Sequence, residues 1–501
     1  MLSRLEQICI SQESTEGTAV SDATLYASGN AAYSIINPEA NFDLQLTERD
    51  IKRDTLTMLR SLTGRKFGSV KFSLEMAPHT STDAPEIAQP LRACGFQQAS
   101  LIRFAHATPG TGLSIGTATF KHGESVQQAS TGATGKVVGD VYNGQQFMYV
   151  TKDDGAGNGT AFSGSNQITG LTSNATVTPG DYQTSAGYGW WPTSFTITQL
   201  TFSASMTNNP SAGDVIKGST SKAIGIVDTV VSNTVILVRR IVGHFTSGGE
   251  NVLNISQADE EVNASVSGAI AEVQLHIPSL SIGGLFDGVR EAISGARGTV
   301  SFDFKVGEPV KLNFDFRGAK KSFSDGGLIS GVSYTQDLPD VWLDTDSQIA
   351  LDATTTYSGE TTVCMSQLTL DMANDVQFRI CADDPTGQLE TIITGRRPTF
   401  NCDPEYLPET HFGWLAAFSN NTNFRQRTRL GSPATAGTYL DSEKFFLISI
   451  PGCAITQMTP GDRDGIKVRN VSGMLTSGSP SSSSAVQKNN ELVIIYNNGA
   501  T

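Results

Sequence analysis

Apolar and polar residues alternate without interruption between Gly298 and Gly318. Successive side chains of a β-strand point to opposite faces, so this period of two predicts a hairpin that turns at 307–309 and has one dry face. The dry face holds Val300, Phe302, Phe304, Val306, Val310, Leu312, Phe314 and Phe316. The other face holds Asp303, Lys305, Lys311, Asn313, Asp315 and Arg317, and water is the simplest environment for it.

Most of the remaining chain consists of short alternating runs separated by Gly, Asn, Asp, Ser and Pro, which is typical of β-sheet proteins. Helical signals are few. The clearest spans 85–95, where Pro85 suits the first turn of a helix and Gly95 suits its end. Pro90 lies inside this segment, and we expect it to kink or split the helix.

Two Gly-rich segments are internally repetitive and differ from their surroundings. In the first, residues 120–138 are followed by a similar stretch at 162–178, and in the second, residues 211–227 are followed by 245–266. Each stretch has a polar turn, a Val or Ile, and then Ser or Thr and Ala before another strand. Because insertions cost little when both ends lie close together, we interpret the segments as small β-modules inserted at 112–182 and 207–271.

A longer and weaker repeat relates the two ends of the chain. Residues 34–50 resemble 366–384, and each segment leads to a Gly followed by two basic residues, at 64–66 and 395–397. The hairpin at 298–318 also has a weaker counterpart at 444–475. These correspondences predict two similar β-domains in tandem, the first comprising 1–111, 183–206 and 272–340, and the second comprising 341–501.

Composition and charge indicate which partners and which compartment suit the protein. The chain has 501 residues and a formal net charge of −14, which argues against a surface that grips nucleic acid by neutralising phosphates. The N-terminus lacks the features of a signal peptide, and no apolar run is long enough to predict a membrane span. The six cysteines are scattered without a C-x-x-C pair, so a protein made in a reducing cytoplasm fits best.

Motifs that carry chemistry are weak, and we predict no enzyme, cofactor, metal site or catalytic residue. Residues 131–137 resemble a phosphate loop, but Ser130 replaces its first Gly. Asp462 and Asp464 begin a calcium-loop pattern that lacks the acidic residue at its twelfth position, so a polar turn is the simpler interpretation. The pair Trp190–Trp191 suits sugar stacking, but such a pair beside a proline is more often core or interface.

Three stretches resemble the major tail tube proteins of long-tailed bacteriophages: the helix at 85–96, the run at 287–318 and the step at 64–75. The resemblance covers the first domain well and the C-terminal half more loosely, and it excludes the inserted modules. It implies a β-sandwich or half-barrel flanked by a helix in each domain. Subunits of this family join sheets edge to edge into rings, which stack into a tube that conducts the genome.

The resemblance also implies a location and partners. The protein would assemble in the bacterial cytoplasm into the virion tail, around a tape measure protein and between tail tip and terminator proteins, with no membrane contact. Two tandem domains imply three chains in a pseudo-hexameric ring where single-domain relatives use six. The inserts would then decorate the outside of the tube.

The same resemblance gives the polar face of the hairpin a function. In a continuous inner barrel it would line the channel, where a net negative wall would repel DNA and prevent specific binding. The candidate channel-lining residues are Asp303, Lys305, Asp315, Arg317, Asp371 and Asp375. An alternative interpretation is that the carboxylates pair with neighbouring cations and serve ring cohesion. Two other functions remain open: a tail-associated carbohydrate-binding or adhesion protein, and a glycan hydrolase, which would need paired carboxylates in one cleft.

Overall fold

The computed structural model describes residues 6–49, 60–116, 118–152, 161–246, 250–257, 260–262, 270–275, 277–286, 288–343, 348–351, 361–382, 385–406, 408, 412–431, 442–477 and 489–500. The strands of the first part are β1 (Glu6–Gln12), β2 (Ile35–Thr47), β3 (Leu62–Glu75), β4 (Phe96–Ala105), β5 (Ser125–Gln128), β6 (Thr134–Val138), β7 (Phe147–Lys152), β8 (Ile168–Gly170), β9 (Thr176–Val177), β10 (Asp181–Pro192), β11 (Ile197–Phe202), β12 (Val215–Gly218), β13 (Ile224–Ser232), β14 (Val235–Val242), β15 (Val252–Asn254), β16 (Glu260–Glu261) and β17 (Ile270–Gln274).

The remaining strands are β18 (Leu280–Phe286), β19 (Val289–Lys305), β20 (Lys311–Asp325), β21 (Gln348–Leu351), β22 (Thr361–Thr362), β23 (Gln367–Asp371), β24 (Asn374–Ile380), β25 (Gln388–Arg396), β26 (Thr399–Cys402), β27 (Phe424–Leu430), β28 (Lys444–Arg463), β29 (Ile466–Leu475) and β30 (Val493–Asn498). Three short helices are described: α1 (Asp22–Leu25), α2 (Ala88–Ala93) and α3 (Trp414–Ser419). The predicted mainly β class is confirmed. The sheets are antiparallel, and none of those described closes into a barrel.

The predicted hairpin is present as β19 and β20, with its turn at 306–310. Phe302 pairs with Leu312 across the hairpin, and both are fully buried, as the alternation predicts. Val306 departs from the prediction because it is 50% exposed. It lies past the last residue of β19, next to Gly307 with its positive φ of 80°, so the strand period no longer governs its orientation.

Two runs of four strands organise most of the sheet. In the first, β2 pairs with β3, β3 with β20, and β20 with β19. In the second, β23 pairs with β26, β26 with β29, and β29 with β28. The runs are joined because 301–305 of β19 pair with 367–371 of β23. Eight strands therefore follow one another as β2, β3, β20, β19, β23, β26, β29 and β28.

The apolar side of this eight-strand run lies in one core that both ends of the chain share. Phe72, Phe302 and Phe316 from the first run belong to the same cluster of buried side chains as Leu370 and Phe400 from the second. Each of these side chains is at most 2% exposed. At roughly 1.5–3 kcal/mol for each fully buried large apolar side chain, this shared core is the main force holding the two runs together.

Helix α2 is shorter than the sequence predicts. It begins at Ala88, and the residues from Pro85 to Ile87 form a turn that is closed by the bond from the Ala88 N–H to the Pro85 carbonyl. Pro90 is in the first helical turn, where N–H groups have no partner within the helix, so it causes no kink. The predicted end is confirmed, since Gly95 follows with a φ of +91°.

The two repetitive segments each contain a separate cluster of buried apolar side chains. Strands β5 to β9 carry the first segment, and β7 joins the large sheet through β4. The second segment forms a separate seven-stranded sheet, in which β11 precedes the predicted range 207–271 and β17 begins inside it and extends beyond it. Below, module 1 denotes 112–182 and module 2 denotes this seven-stranded sheet.

Candidate functional site

The polar side of the eight-strand run is the candidate site. Register places Ser73, Asn313, Ser301 and Asp371 side by side on four neighbouring strands. They line an open groove of ≈320 Å³ on this face, together with Asn37, Glu39, Lys71, Thr299 and Asp315. The surface is polar because residues at i and i+2 of each strand share it, while their neighbours face the core.

Four of the predicted channel-lining residues lie on this polar face. Asp303, Lys305, Asp315 and Arg317 belong to β19 and β20, where the alternation places them opposite the buried phenylalanines. Asp371 lies beside them, because it pairs with Ser301 across the joint between the two runs. The structure thus brings these five residues onto one side of one sheet.

Asp375 is placed differently. It lies on β24, which pairs only with β25 among the described strands and forms a separate two-stranded sheet. Hydrogen bonds from the Gln377 amide (2.6 Å) and the Thr394 hydroxyl (3.0 Å) stabilise its carboxylate. These bonds, with smaller contributions from Arg397 and Arg317, lower the pKa of Asp375.

The carboxylates of the polar face have cationic neighbours. Asp315 lies 3.4 Å from the Lys71 ammonium on the adjacent strand, and Asp303 lies 3.2 Å from that of Lys305. All four side chains are between 28% and 50% exposed, so each pair contributes about 0–1 kcal/mol. Lys71–Asp315 is therefore a cross-strand pair of the kind that the ring-cohesion interpretation requires, here within a single chain, whereas Asp303 and Lys305 lie two residues apart on β19.

Charge is distributed unevenly along the eight strands. On the segments 39–43, 69–75, 299–305 and 311–317 and at Asp371, six carboxylates lie on the polar face with four cations: Glu39, Asp43, Glu75, Asp303, Asp315 and Asp371 against Lys71, Lys305, Lys311 and Arg317. The same face of the second run presents hydroxyl and amide groups from Thr369, Asn401, Ser472 and Gln457. A second groove of ≈240 Å³ lies there.

Both ends of the eight-strand run have a free edge in the part of the chain that the structure describes. On one end, β2 pairs with β3 alone. On the other, residues 454–463 of β28 pair with β29, whereas β27 and β30 pair only with earlier residues of β28. Pro460 lies in this segment and is exposed, as expected for an edge, because proline has no N–H to donate to a ladder.

The other candidate chemistries find little support among the described residues. Trp190 and Trp191 are 0% and 3% exposed, so the core interpretation of this pair is confirmed. The Asp462 carboxylate accepts a hydrogen bond from the Gly465 N–H (3.0 Å) and shapes the turn between β28 and β29. No group of three or more His, Cys, Asp or Glu side chains in the described ranges is placed to hold a metal ion.

Sequence reasoning missed part of this face. Lys71 and Ser73 alternate with buried Val70, Phe72 and Leu74 on β3, so the period of two at 69–75 was a usable signal. The uncharged residues of the second run offered no such signal, because hydroxyl and amide side chains are common in turns as well as on strands.

No protein family matches the chain, and no curated protein matches it significantly. Among the described helices, none is both long and apolar enough to cross a membrane.

Proposed function

We propose that this protein is a structural subunit of a tail tube of the long-tailed phage type, which stacks as rings into a conduit for the genome. The observation that supports the proposal is the eight-strand run with one polar face, one buried face and a free edge at each end. A sheet of this kind becomes a closed ring when the last strand of one chain pairs with the first strand of the next.

The connectivity of the two runs supports a tandem arrangement. In each run a strand pair is followed by a short helix and then by a long hairpin, and the second strand of that hairpin pairs back onto the strand pair. The helices are α2 and α3. In this arrangement, β19 pairs with β23 within one chain. The equivalent pairing between chains would join β28 of one chain to β2 of the next.

The number of chains per ring follows from this reading. Each chain would supply two equivalent positions, so three chains would give a pseudo-hexameric ring. The polar face would line the channel, and the sheet edges would be consumed by pairing, which removes the hazard of uncontrolled aggregation at open strands. The net negative wall remains a prediction, since the described charges on this face nearly balance.

Cysteine cross-linking tests the joint between chains. In a background with Cys364→Ser, Gln457→Cys on β28 is combined with a cysteine at Asn37, Glu39 or Asn41 on β2. Under oxidation, at least one pair is expected to yield covalent dimers and closed trimers on a denaturing gel. The matched control places the second cysteine at Ser73, which lies on the same polar face of β3 but not at an edge, and it is expected to give no interchain product.

Electron microscopy of the purified full chain tests the assembly itself. Hollow tubes or stacked rings with three chains per layer are the expected result. Six complete chains per layer would contradict the trimeric ring and leave the tube function standing. A chain that stays monomeric at high concentration and forms no cross-linked species would contradict the tube function.

A further inference from the structure

A cleft outside the polar face lies where the two modules meet the large sheet. It has a volume of ≈180 Å³ and is lined by Lys136 of module 1, by Gln97 and Trp191 of the large sheet, and by Asp228 and Leu237 of module 2. Phe195, in the segment that leads into module 2, completes one side. Junctions between folded units are preferred positions for small-ligand sites, so this cleft is a candidate site for a small ligand.

The side formed by Phe195 is an aromatic platform. Its ring is 40% exposed although it lies in a cleft. The Arg239 guanidinium stacks on the ring at 4.5 Å from its centroid. Arg239 is held in turn by two contacts to the Asp228 carboxylate, at 2.7 and 2.6 Å. The platform is therefore fixed before any ligand arrives, which reduces the entropy lost on binding.

Polar groups surround the platform. Trp191 is 3% exposed and its indole N–H is not accessible from the cleft, so this side chain contributes only an apolar wall. The Asn489 amide lines the same cleft, and its oxygen accepts bonds from the Ser194 hydroxyl (2.7 Å) and from Arg396 (2.9 Å). The cleft thus offers an oriented amide and a carboxylate beside an aromatic ring.

We propose that this cleft binds a neutral pyranose unit of a polysaccharide. The C–H face of a sugar ring is apolar and packs on an aromatic ring, while its hydroxyls exchange hydrogen bonds with the amide and carboxylate groups around it. The carboxylate of Asp228 and the guanidinium of Arg239 neutralise each other, so this pair attracts neither an anion nor a cation. Binding of this kind would occur on single chains and does not depend on the tube proposal.

The test uses saturation-transfer NMR on the full chain with the methyl glycosides of glucose, galactose, mannose, rhamnose, N-acetylglucosamine and N-acetylgalactosamine. At least one glycoside is expected to bind in the millimolar range. Phe195→Ala is expected to weaken it about tenfold or more. The matched control is Phe323→Ala, which removes another exposed phenylalanine, on β20, and is expected to leave binding unchanged.

Two results would overturn the proposal. One is the absence of saturation transfer from the wild-type chain to all six glycosides. The other is binding that Phe195→Ala and Asp228→Asn leave unaltered while both variants keep the wild-type circular dichroism spectrum. Ring formation by Phe195→Ala is expected to match the wild type, so failure of the sugar site and failure of the tube function are distinguishable.

Discussion

Mild acid is expected to open module 1 through one buried histidine. His122 is 2% exposed, its Nδ1 accepts a hydrogen bond from the Gly139 N–H (2.9 Å), and its ring packs edge to face on Trp191 at 5.3 Å. Burial lowers the pKa of His122 to about 4, against a smaller opposing effect of the Asp140 carboxylate. A proton added to Nδ1 would remove the acceptor that Gly139 requires.

The magnitude follows from linkage. The folded pKa lies below the ordinary histidine value of about 6.5, so the unfolded module binds the proton more readily. The stability contribution is complete above about pH 6.5 and is lost progressively as the pH falls toward 4. Between pH 8 and pH 5 the loss amounts to about 2 kcal/mol, or about a 30-fold increase in the open population.

Hydrogen exchange measured by mass spectrometry is the appropriate assay, because a chain with several modules does not unfold in two states. After correction for intrinsic rates, peptides from 120–142 are expected to lose protection between pH 8 and pH 5. Peptides from 444–475 contain no histidine and serve as the internal control. His122→Asn keeps an acceptor near Gly139 and is expected to abolish the difference.

A pH-independent protection of 120–142 in the wild-type chain would refute the reasoning. The same conclusion would follow if His122→Asn retained the full pH dependence. Loss of the pH dependence after His79→Asn would assign the effect to another group than His122, because His79 is a half-buried histidine outside module 1 whose ring hydrogen-bonds to Ser81.

Three further predictions concern assembly, the channel and the core. Deletion of 112–182 or of 207–271 is expected to leave tubes visible by electron microscopy; a folded deletion chain that forms none would contradict the decoration hypothesis. A phage with Asp303→Lys and Asp315→Lys and with normal tails is expected to eject its genome more slowly, and unchanged kinetics would count against channel lining by these residues. Phe302→Ala is expected to lower the opening free energy of 298–318, measured by hydrogen exchange, by about 3–5 kcal/mol, whereas Phe323→Ala, on the same hairpin and 59% exposed, is expected to lower it by under about 1 kcal/mol.

The sequence allowed the hairpin and its two faces to be predicted because a period of two is a local property. It did not allow the break in the strand at 366–384 to be predicted. There the chain forms β23 and β24, separated at Met372 and Ala373, and Ala373 has a φ of +43°. Alanine rarely adopts a positive φ, so tertiary contacts must hold this backbone conformation. No residue pattern in the sequence predicts it.

The pairing of strands that are distant in sequence could not be predicted either. The stretch 301–305 pairs with β20 on one side and with β23 on the other, although β23 lies more than 60 residues away in sequence. Alternation states which face a side chain occupies but not which strand lies next to it. Asp371 could therefore be proposed for the polar face, but its pairing with Ser301 could not be derived.

The net charge of the polar face could not be predicted from the net charge of the whole chain. The whole chain carries a formal charge of −14, whereas the six carboxylates and four cations counted on 39–43, 69–75, 299–305 and 311–317 and at Asp371 give that part of the polar face −2. Most of the acidic excess therefore lies elsewhere. Charges on the outside of a tube act weakly on DNA inside it, because salt screens them within about 10 Å. If the polar face lines a channel, DNA would meet three sectors of near-balanced charge alternating with three sectors of hydroxyl and amide groups, and low friction would come chiefly from the scarcity of unpaired cations.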